Sequence, residues 1–407
     1  MSPRPFTGGF TQQEPIPEQA IERAVAVLRS GRLHRYNTVS GETAEASLLE
    51  VEFARYQGRS YCLACASGGY ALQTALRASG LSAGDKVLTN AFTLAPVPGA
   101  IVSAGGVPVF VETSRALVPD LDDLRRKIES SGARFLMLSL MRGHLPDMDA
   151  LMTLVDDYGL LMIEDCAHTM GAAWRGRKSG NFGHVGCFST QTYKHLNSGE
   201  GGLLVTDDEE LMARAVMLSG SYMLFDRHEA SPPPEVFERI RFETPNCSGR
   251  MDNLRAAILR PQLEELDSNA ARWNERYRAV EALLRQAPGI QVIERPAEET
   301  FVGSSIQFLI PGIAESEARA FLAANAELGV ELKWFGDDNP VGFTSKHSSW
   351  KYLEPQSMPL TDQLLSELFD MRIPLTFSLE DCAQVGEIIR YTAEQLPSVP
   401  LEAEGRV

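Results

Sequence analysis

The chain has 407 residues, 38 Lys and Arg against 54 Asp and Glu, and a formal net charge of −16. That length can bury a large core and predicts more than one domain, while the acidic balance argues against a nucleic-acid or anionic-membrane partner. No basic N-terminal stretch precedes an apolar segment, and no apolar run reaches the roughly 18 residues of a membrane helix, so the expected setting is the cytoplasm, away from the membrane.

Residues 1–15 are polar, rich in Pro and Gly, and read as an N-terminal arm. Ile16 to Leu28 carries helical spacing of apolar positions. Cys62-Leu63-Ala64-Cys65 has the spacing of a redox motif. It lies in an apolar strand-like run, however, and has no second pair to complete a zinc site, so it reads as buried free thiols and no metal is expected. Ser67-Gly68-Gly69 then leads into a predicted helix, Tyr70–Ala78. Glycines there let backbone amides approach an anion, and the helix N-terminus favours negative charge.

From Gly68 to Asp207, short β-rich runs alternate with amphipathic ones. Strands are predicted at Lys86–Thr89, Val107–Glu112, Arg134–Leu140, Leu160–Glu164, Val185–Ser189 and Gly202–Thr206, with helices at Ala95–Ala104, Leu121–Ser130 and Asp149–Tyr158. This alternation predicts an α/β fold whose mostly parallel sheet is covered on both faces, with ligands bound beyond the C-terminal strand ends. Asp165 ends one such strand. Lys194 lies on the loop after the next one, ahead of the Gly-rich turn Ser198-Gly199-Glu200-Gly201-Gly202. A carboxylate at an apolar strand end needs a cation. A lysine close by is what pyridoxal 5'-phosphate (PLP) requires: the amine forms a Schiff base and the carboxylate keeps the pyridine nitrogen protonated. Further on, Ser231-Pro232-Pro233-Pro234 marks a loop. Met251 to Arg285 is helical with an interruption at Pro261 and suits a connection between two domains. After Gly289 the chain restarts with a β-like run, then helices at Glu315–Leu328, near Asp362–Phe369, and at Leu379–Gln395. The predicted division is an arm (1–15), a large cofactor-binding domain (16–265), a small C-terminal α+β domain (266–398) and a tail (399–407).

Several segments together carry a family resemblance: Ser67-Gly68-Gly69-Tyr70-Ala71-Leu72, Gly84-Asp85-Lys86-Val87, Val107 to Glu112, Gly143-His144-Leu145-Pro146-Asp147-Met148-Asp149, Glu164-Asp165-Cys166-Ala167-His168, Gly183 to Gly202, and Arg250 to Ala257. In this order the chain resembles the DegT/StrS-type sugar aminotransferases, which are fold type I PLP enzymes. The resemblance implies PLP on Lys194, cycling with its amine form PMP, Asp165 at the ring nitrogen, and His168 near the ring or its hydroxyl, a position that a structural histidine could equally fill. It implies phosphate contacts from Gly68, Gly69, Ser189 and Gln191, although Gly69 stands where the family usually has Thr. Leu94 occupies the place of a stacking aromatic, which leaves Phe92 or Leu94 against the ring. Ser248 stands where the family has the Asn that reaches a partner subunit, and Asn246 could reach from further back, so a homodimer with composite sites is implied.

Arg142 departs from the family pattern and is expected either to bind an acidic group on a substrate or to form a surface salt bridge. Arg250 and Trp334 are further candidate substrate contacts, Trp334 because it stands in the aromatic-rich segment Lys333 to Tyr352. The implied reaction is amino transfer from glutamate or glutamine to a keto-sugar, keto-cyclitol or related ketone, in secondary-metabolite or polysaccharide biosynthesis. The stretch Ser189-Thr190-Gln191 looks closer to the cyclitol-type members. Two other readings stay open: a PLP- or PMP-dependent sugar dehydratase, a branch that replaces the lysine, and a cofactor-binding protein without catalysis.

Overall fold

The computed structural model describes residues 2–396; the expected tail, 399–407, lies outside the described residues. In chain order the strands are β1 (Tyr61–Cys65), β2 (Lys86–Asn90), β3 (Val107–Val111), β4 (Phe135–Ser139), β5 (Leu161–Asp165), β6 (Ala173–Trp174), β7 (Arg177–Lys178), β8 (Val185–Ser189), β9 (Gly202–Thr206), β10 (Gln291–Val292), β11 (Glu299–Thr300), β12 (Ser305–Leu309), β13 (Lys333–Trp334) and β14 (Leu368–Arg372). The main sheet runs β1-β9-β8-β5-β4-β2-β3. β9 pairs antiparallel with both neighbours, and the other pairs are parallel. This is the α/β fold with a mostly parallel sheet that the alternation predicts.

The central strands β4, β8 and β9 are buried along their whole length, as expected when helices cover both faces. One face packs against Leu49 and Phe53 of Glu45–Gln57, Leu151 and Leu154 of Met148–Asp157, and Leu259 of Asn253–Glu264. The other packs against Leu72 and Leu76 of Gly68–Ala78 and Met212 and Val216 of Glu209–Ser219. Side-chain caps start these helices: Ser67 accepts from Tyr70 N, Asp147 from Ala150 N, Asp208 from Leu211 N.

A second, antiparallel sheet, β10-β12-β14-β13, lies in the C-terminal part. Its core includes Tyr277 and Leu284 of Leu266–Leu284, Phe321 of Glu315–Glu327 and Ile388 of Leu379–Ala393. Phe6 and Phe10 belong to the same core and meet Phe377 edge-on, with ring centroids 5.0 Å away in each case. The N-terminal arm is therefore anchored by two aromatics that its polar composition obscures. Two expected boundaries also move. Pro261 stays inside Asn253–Glu264, where its ring is buried, and the break falls at Glu265. The helix expected near Asp362–Phe369 ends at Glu367, and β14 begins at once.

Candidate active site

The parallel strands β2, β4, β5 and β8 end in Asn90, Ser139, Asp165 and Ser189, which gather at one edge of the sheet. Ser139 and Asp165 are register partners. Ser139 Oγ donates to Asp165 Oδ2 at 3.3 Å, and Thr93 Oγ1 donates to Ser139 Oγ at 2.6 Å. Asn90 holds the Ser139 backbone from both sides, donating to its carbonyl and accepting from its amide. Asp165 Oδ1 accepts from Ala167 N at 3.1 Å. Burial raises the Asp165 carboxyl above the ordinary carboxylate range, against the pull of Ala167, Lys194 and Ser139. A cation at its free face would reverse that shift. Glu164, one residue earlier on the opposite face, accepts from the amides of Gly180, Phe182 and Gly183 and so orders the loop before β8.

Lys194 Nζ lies 2.7 Å from His168 Nε2. Burial, then the nearby Arg142 guanidinium, lowers the lysine to about 7 against a smaller opposing pull from Asp165. Burial and Lys194 also keep the His168 ring neutral, well below its ordinary value. His195, next in sequence, turns away: its Nε2 meets Ser304 Oγ at 3.0 Å and its ring packs edge-on to Trp273.

Gly68 opens the helix Gly68–Ala78 directly against Ser189; a Cβ on Gly68 would stand 2.8 Å from Ser189 Cβ. A Cβ on Gly69 meets only Pro96, at 3.7 Å. Gln191 Oε1 accepts from Tyr193 N and Ser189 Oγ from Gln191 N, which shapes the turn beside the helix N-terminus. A buried amine, a buried carboxyl with an unmet cation requirement, and a glycine-lined helix N-terminus fit PLP. Lys194 would carry it, Asp165 would face the ring nitrogen, and Gly68, Gly69, Ser189 and Gln191 would hold the phosphate.

The other expected residues make these contacts. Phe92 is spent on Phe335, whose ring it meets edge-on at 5.1 Å within a cluster that includes Met141 and Leu368. Leu94 is partly buried at the edge of that cluster. Trp334 lies in the core of the second sheet. It pairs with Phe369 on the core face of the second sheet, and its indole donates to Ser366 O at 2.8 Å. The strand alternation turns its neighbour Lys333 to the opposite face, opposite Asp370. Arg142 is not a surface ion pair either: it is 7% exposed, and its Nη2 lies 3.1 Å from Asp370 Oδ2. Its backbone is left-handed, with φ 56°, a conformation that costs roughly 1–3 kcal/mol outside glycine. Asn246 and Ser248 are exposed and bonded to each other, and Arg250 donates to Gly220 O at 2.7 Å. Among the described residues none of these three hydrogen-bonds to Lys194. Residue patterns did not single out Thr93, Ser139, Asp370 or Arg372. Ser139 could have been found as the end of the strand beside Asp165, whereas the others needed the tertiary structure.

One end of the parallel strands thus gathers a buried lysine, a buried carboxyl and a glycine-lined helix start. The DegT/DnrJ/EryC1/StrS aminotransferase family matches this chain over residues 15–390, and the chain belongs to that family. It is 34% identical over 255 residues to the L-glutamine:2-deoxy-scyllo-inosose aminotransferase of Streptoalloteichus tenebrarius, covering 62% of this chain and 59% of that one. It is 37% identical over 235 residues to the dTDP-3-amino-3,4,6-trideoxy-alpha-D-glucose transaminase of Streptomyces venezuelae, covering 57% of each. The chain thus spans about three fifths of the length of these curated relatives. In fold it is similar to the crystal structure of 3-amino-5-hydroxybenzoic acid synthase, with TM-score 0.81 and 23% identity over 97% of this chain and all of that one. It is also similar to Streptomyces venezuelae DesV, with TM-score 0.78 and 26% identity over 93% of this chain and 95% of that one.

Proposed function

We propose that this chain is a PLP-dependent aminotransferase that takes an amino group from glutamine or glutamate and gives it to a keto-cyclitol, keto-sugar or related ketone. The observation that carries this reading is the Lys194–His168 contact at 2.7 Å beside Asp165. The named activities of the relatives over their matched regions support it. When bound, the cofactor supplies an electron sink for the carbanion at the donor Cα. Asp165, held by Ser139 and Ala167, keeps a proton on the ring nitrogen. Lys194, neutral in a large fraction near pH 7, takes the proton from the donor Cα, and neutral His168 orients its amine. The lysine itself favours this reading over a dehydratase.

The same reading includes a cytoplasmic location. Among the described residues no helix is long and apolar enough to cross a membrane. It also includes large and small domains meeting near residue 265, and a homodimer. The exposure of Asn246 and Ser248, together with exposed Tyr222, Met223 and Phe242 in the same region, supports the dimer. The test is absorbance of the PLP-loaded protein before and after glutamine. The lysine-linked visible band should form, fall on adding glutamine, and be missing in Lys194→Ala. A Lys194→Ala protein that keeps both the band and turnover would overturn the assignment.

A further inference from the structure

Asp370 is fully buried on β14, and one of its oxygens faces two cations: Oδ2 lies 3.1 Å from Arg142 Nη2 and 3.4 Å from Lys333 Nζ. Its other oxygen, Oδ1, accepts from Gln307 Nε2 at 2.7 Å, and Gln307 Oε1 meets His144 Nε2 at 2.8 Å. A carboxylate of the second sheet is thus tied twice to the turn after β4, through Arg142 and through His144. That turn backs onto the lysine. Gly143 packs against the His168 carbonyl, where a Cβ would stand 3.0 Å from the oxygen, and the His168 ring touches Lys194.

Arg142 has little else to hold it. Its Nε and Nη2 are buried without a hydrogen-bond partner among the described residues, and its backbone is left-handed. Its neighbours Lys333 and Arg372 are cations that repel it. Asp370 is its one counter-ion among the described residues. Burial would raise the Asp370 carboxyl, but Arg142 and then Lys333 hold it below the ordinary carboxylate value, so it is ionised. A buried guanidinium stripped of its carboxylate is strongly unfavourable, and a long side chain relieves this by swinging toward water. Lys194 faces the cations Arg142, Arg372 and Lys333, the Asp165 carboxylate, and the rings of His168 and His195. Among these charges Arg142 opposes the ammonium form most strongly.

We infer that Asp370 is a positioning residue for Lys194: it anchors the Arg142 guanidinium beside the lysine, so that the second sheet governs the reactivity of the amine. The inference rests on the aminotransferase reading for its consequence, because a lysine that takes the proton from the donor Cα must be free of its own. Positioning and simple charge predict opposite signs. By charge alone, deleting the Asp370 carboxylate would disfavour the ammonium and lower the pH at which Lys194 loses its proton. By positioning, the same deletion releases Arg142 and raises that pH.

The test is the pH dependence of Lys194 acetylation by acetic anhydride in the full, cofactor-free chain, with the Lys194 peptide quantified by mass spectrometry. Asp370→Asn keeps the shape and the acceptor for Gln307. It should raise the labelling midpoint by about one pH unit, a tenfold change in proton affinity. Arg142→Gln should raise it equally, and the double variant should go no higher. Asp370→Glu restores the charge and should bring back most of the low midpoint. A general loss of stability would not move the midpoint of one lysine in this pattern. A midpoint that falls or stays in Asp370→Asn would overturn the inference. If Asp370→Asn does not fold, the double variant, which removes the stranded guanidinium as well, carries the test. A midpoint equal to that of Arg142→Gln supports positioning, and one clearly below it overturns positioning. The glutamine absorbance change of the PLP-loaded wild type keeps the two readings apart. If the band falls with glutamine and the midpoint ignores Asp370, only the positioning role is lost. If the midpoint follows Asp370 and glutamine leaves the band unchanged, only the aminotransferase reading is lost.

Discussion

A lysine held near 7 instead of 10.5 is half neutral at neutral pH, and this property sets the first prediction. Attachment of PLP to the cofactor-free protein should accelerate as pH rises through about 7 and level off above it. The sign follows from burial, which disfavours the ammonium form, so alkali increases the reactive amine. Between about 7 and 10.5 the unfolded lysine binds a proton that the folded one refuses, so this group's contribution to stability grows with pH across that window. Arg142 adds to the lowering. Arg142→Gln should therefore move the midpoint of attachment upward, while Arg142→Lys should keep most of it down. A midpoint unchanged by Arg142→Gln would show that burial alone sets the value. Asp165→Asn should still bind PLP but lose about a hundred- to a thousandfold in the single turnover with glutamine, the usual consequence of deleting a group that faces developing charge. Near-normal turnover would remove Asp165 from its proposed role.

Single elements bring these groups into place. Gly68 stands where helix Gly68–Ala78 starts against the end of β8, and no side chain fits there. Gly68→Ala puts its Cβ 2.8 Å from Ser189 Cβ and should weaken PLP binding tenfold or more, at a stability cost of about 1–3 kcal/mol. Gly69 has room, so Gly69→Thr should fold normally and tighten PLP by adding a hydroxyl beside the phosphate; equilibrium dialysis compares the two. A second element-level device joins the end of β3 to helix Pro359–Glu367. Glu112 accepts from Thr361 N at 2.8 Å and from Thr361 Oγ1 at 2.6 Å, and Thr361 Oγ1 accepts from Thr113 N at 2.9 Å. Thr361→Val leaves buried groups short of partners and should cost about 1–3 kcal/mol, read as a lower melting temperature. An unchanged melting temperature would show that water replaces the hydroxyl.

At the scale of the whole molecule, the Arg142–Asp370 pair joins the loop after β4 to the second sheet, so the charge state of the site and the relation of the two sheets are linked. The dimer reading has its own test. Asn246, Ser248 and Arg250 make no hydrogen bond to Lys194 among the described residues, so a composite site would take them from a neighbour. Mixing Lys194→Ala chains with Asn246→Ala/Ser248→Ala chains should restore part of the activity, because one site in each mixed dimer is intact. If verified subunit exchange restores nothing, each site is built from a single chain.

The α/β class, the order of strands and helices from Gly68 to Asp207, and the pairing of a strand-end carboxylate with a loop lysine were legible in the residues. Local hydrophobic runs, glycine turns and strand ends are short-range features, and parallel sheets place their ligands at one edge. The anchoring of the arm was hidden because two phenylalanines in a polar stretch reveal nothing until a core exists for them. Trp334 and Lys333 could not be assigned to faces without the register of β13 on β14, since a shift of one residue exchanges their directions. Phe92 meets Phe335, more than two hundred residues later, which no local pattern could show. Arg142 could have served a substrate acid or a surface ion pair, and only the fold brings Asp370 of the second sheet to it. Local sequence thus determined which groups could do the chemistry. The tertiary structure decided which charges meet around them, because the partners come from distant segments whose pairing depends on packing.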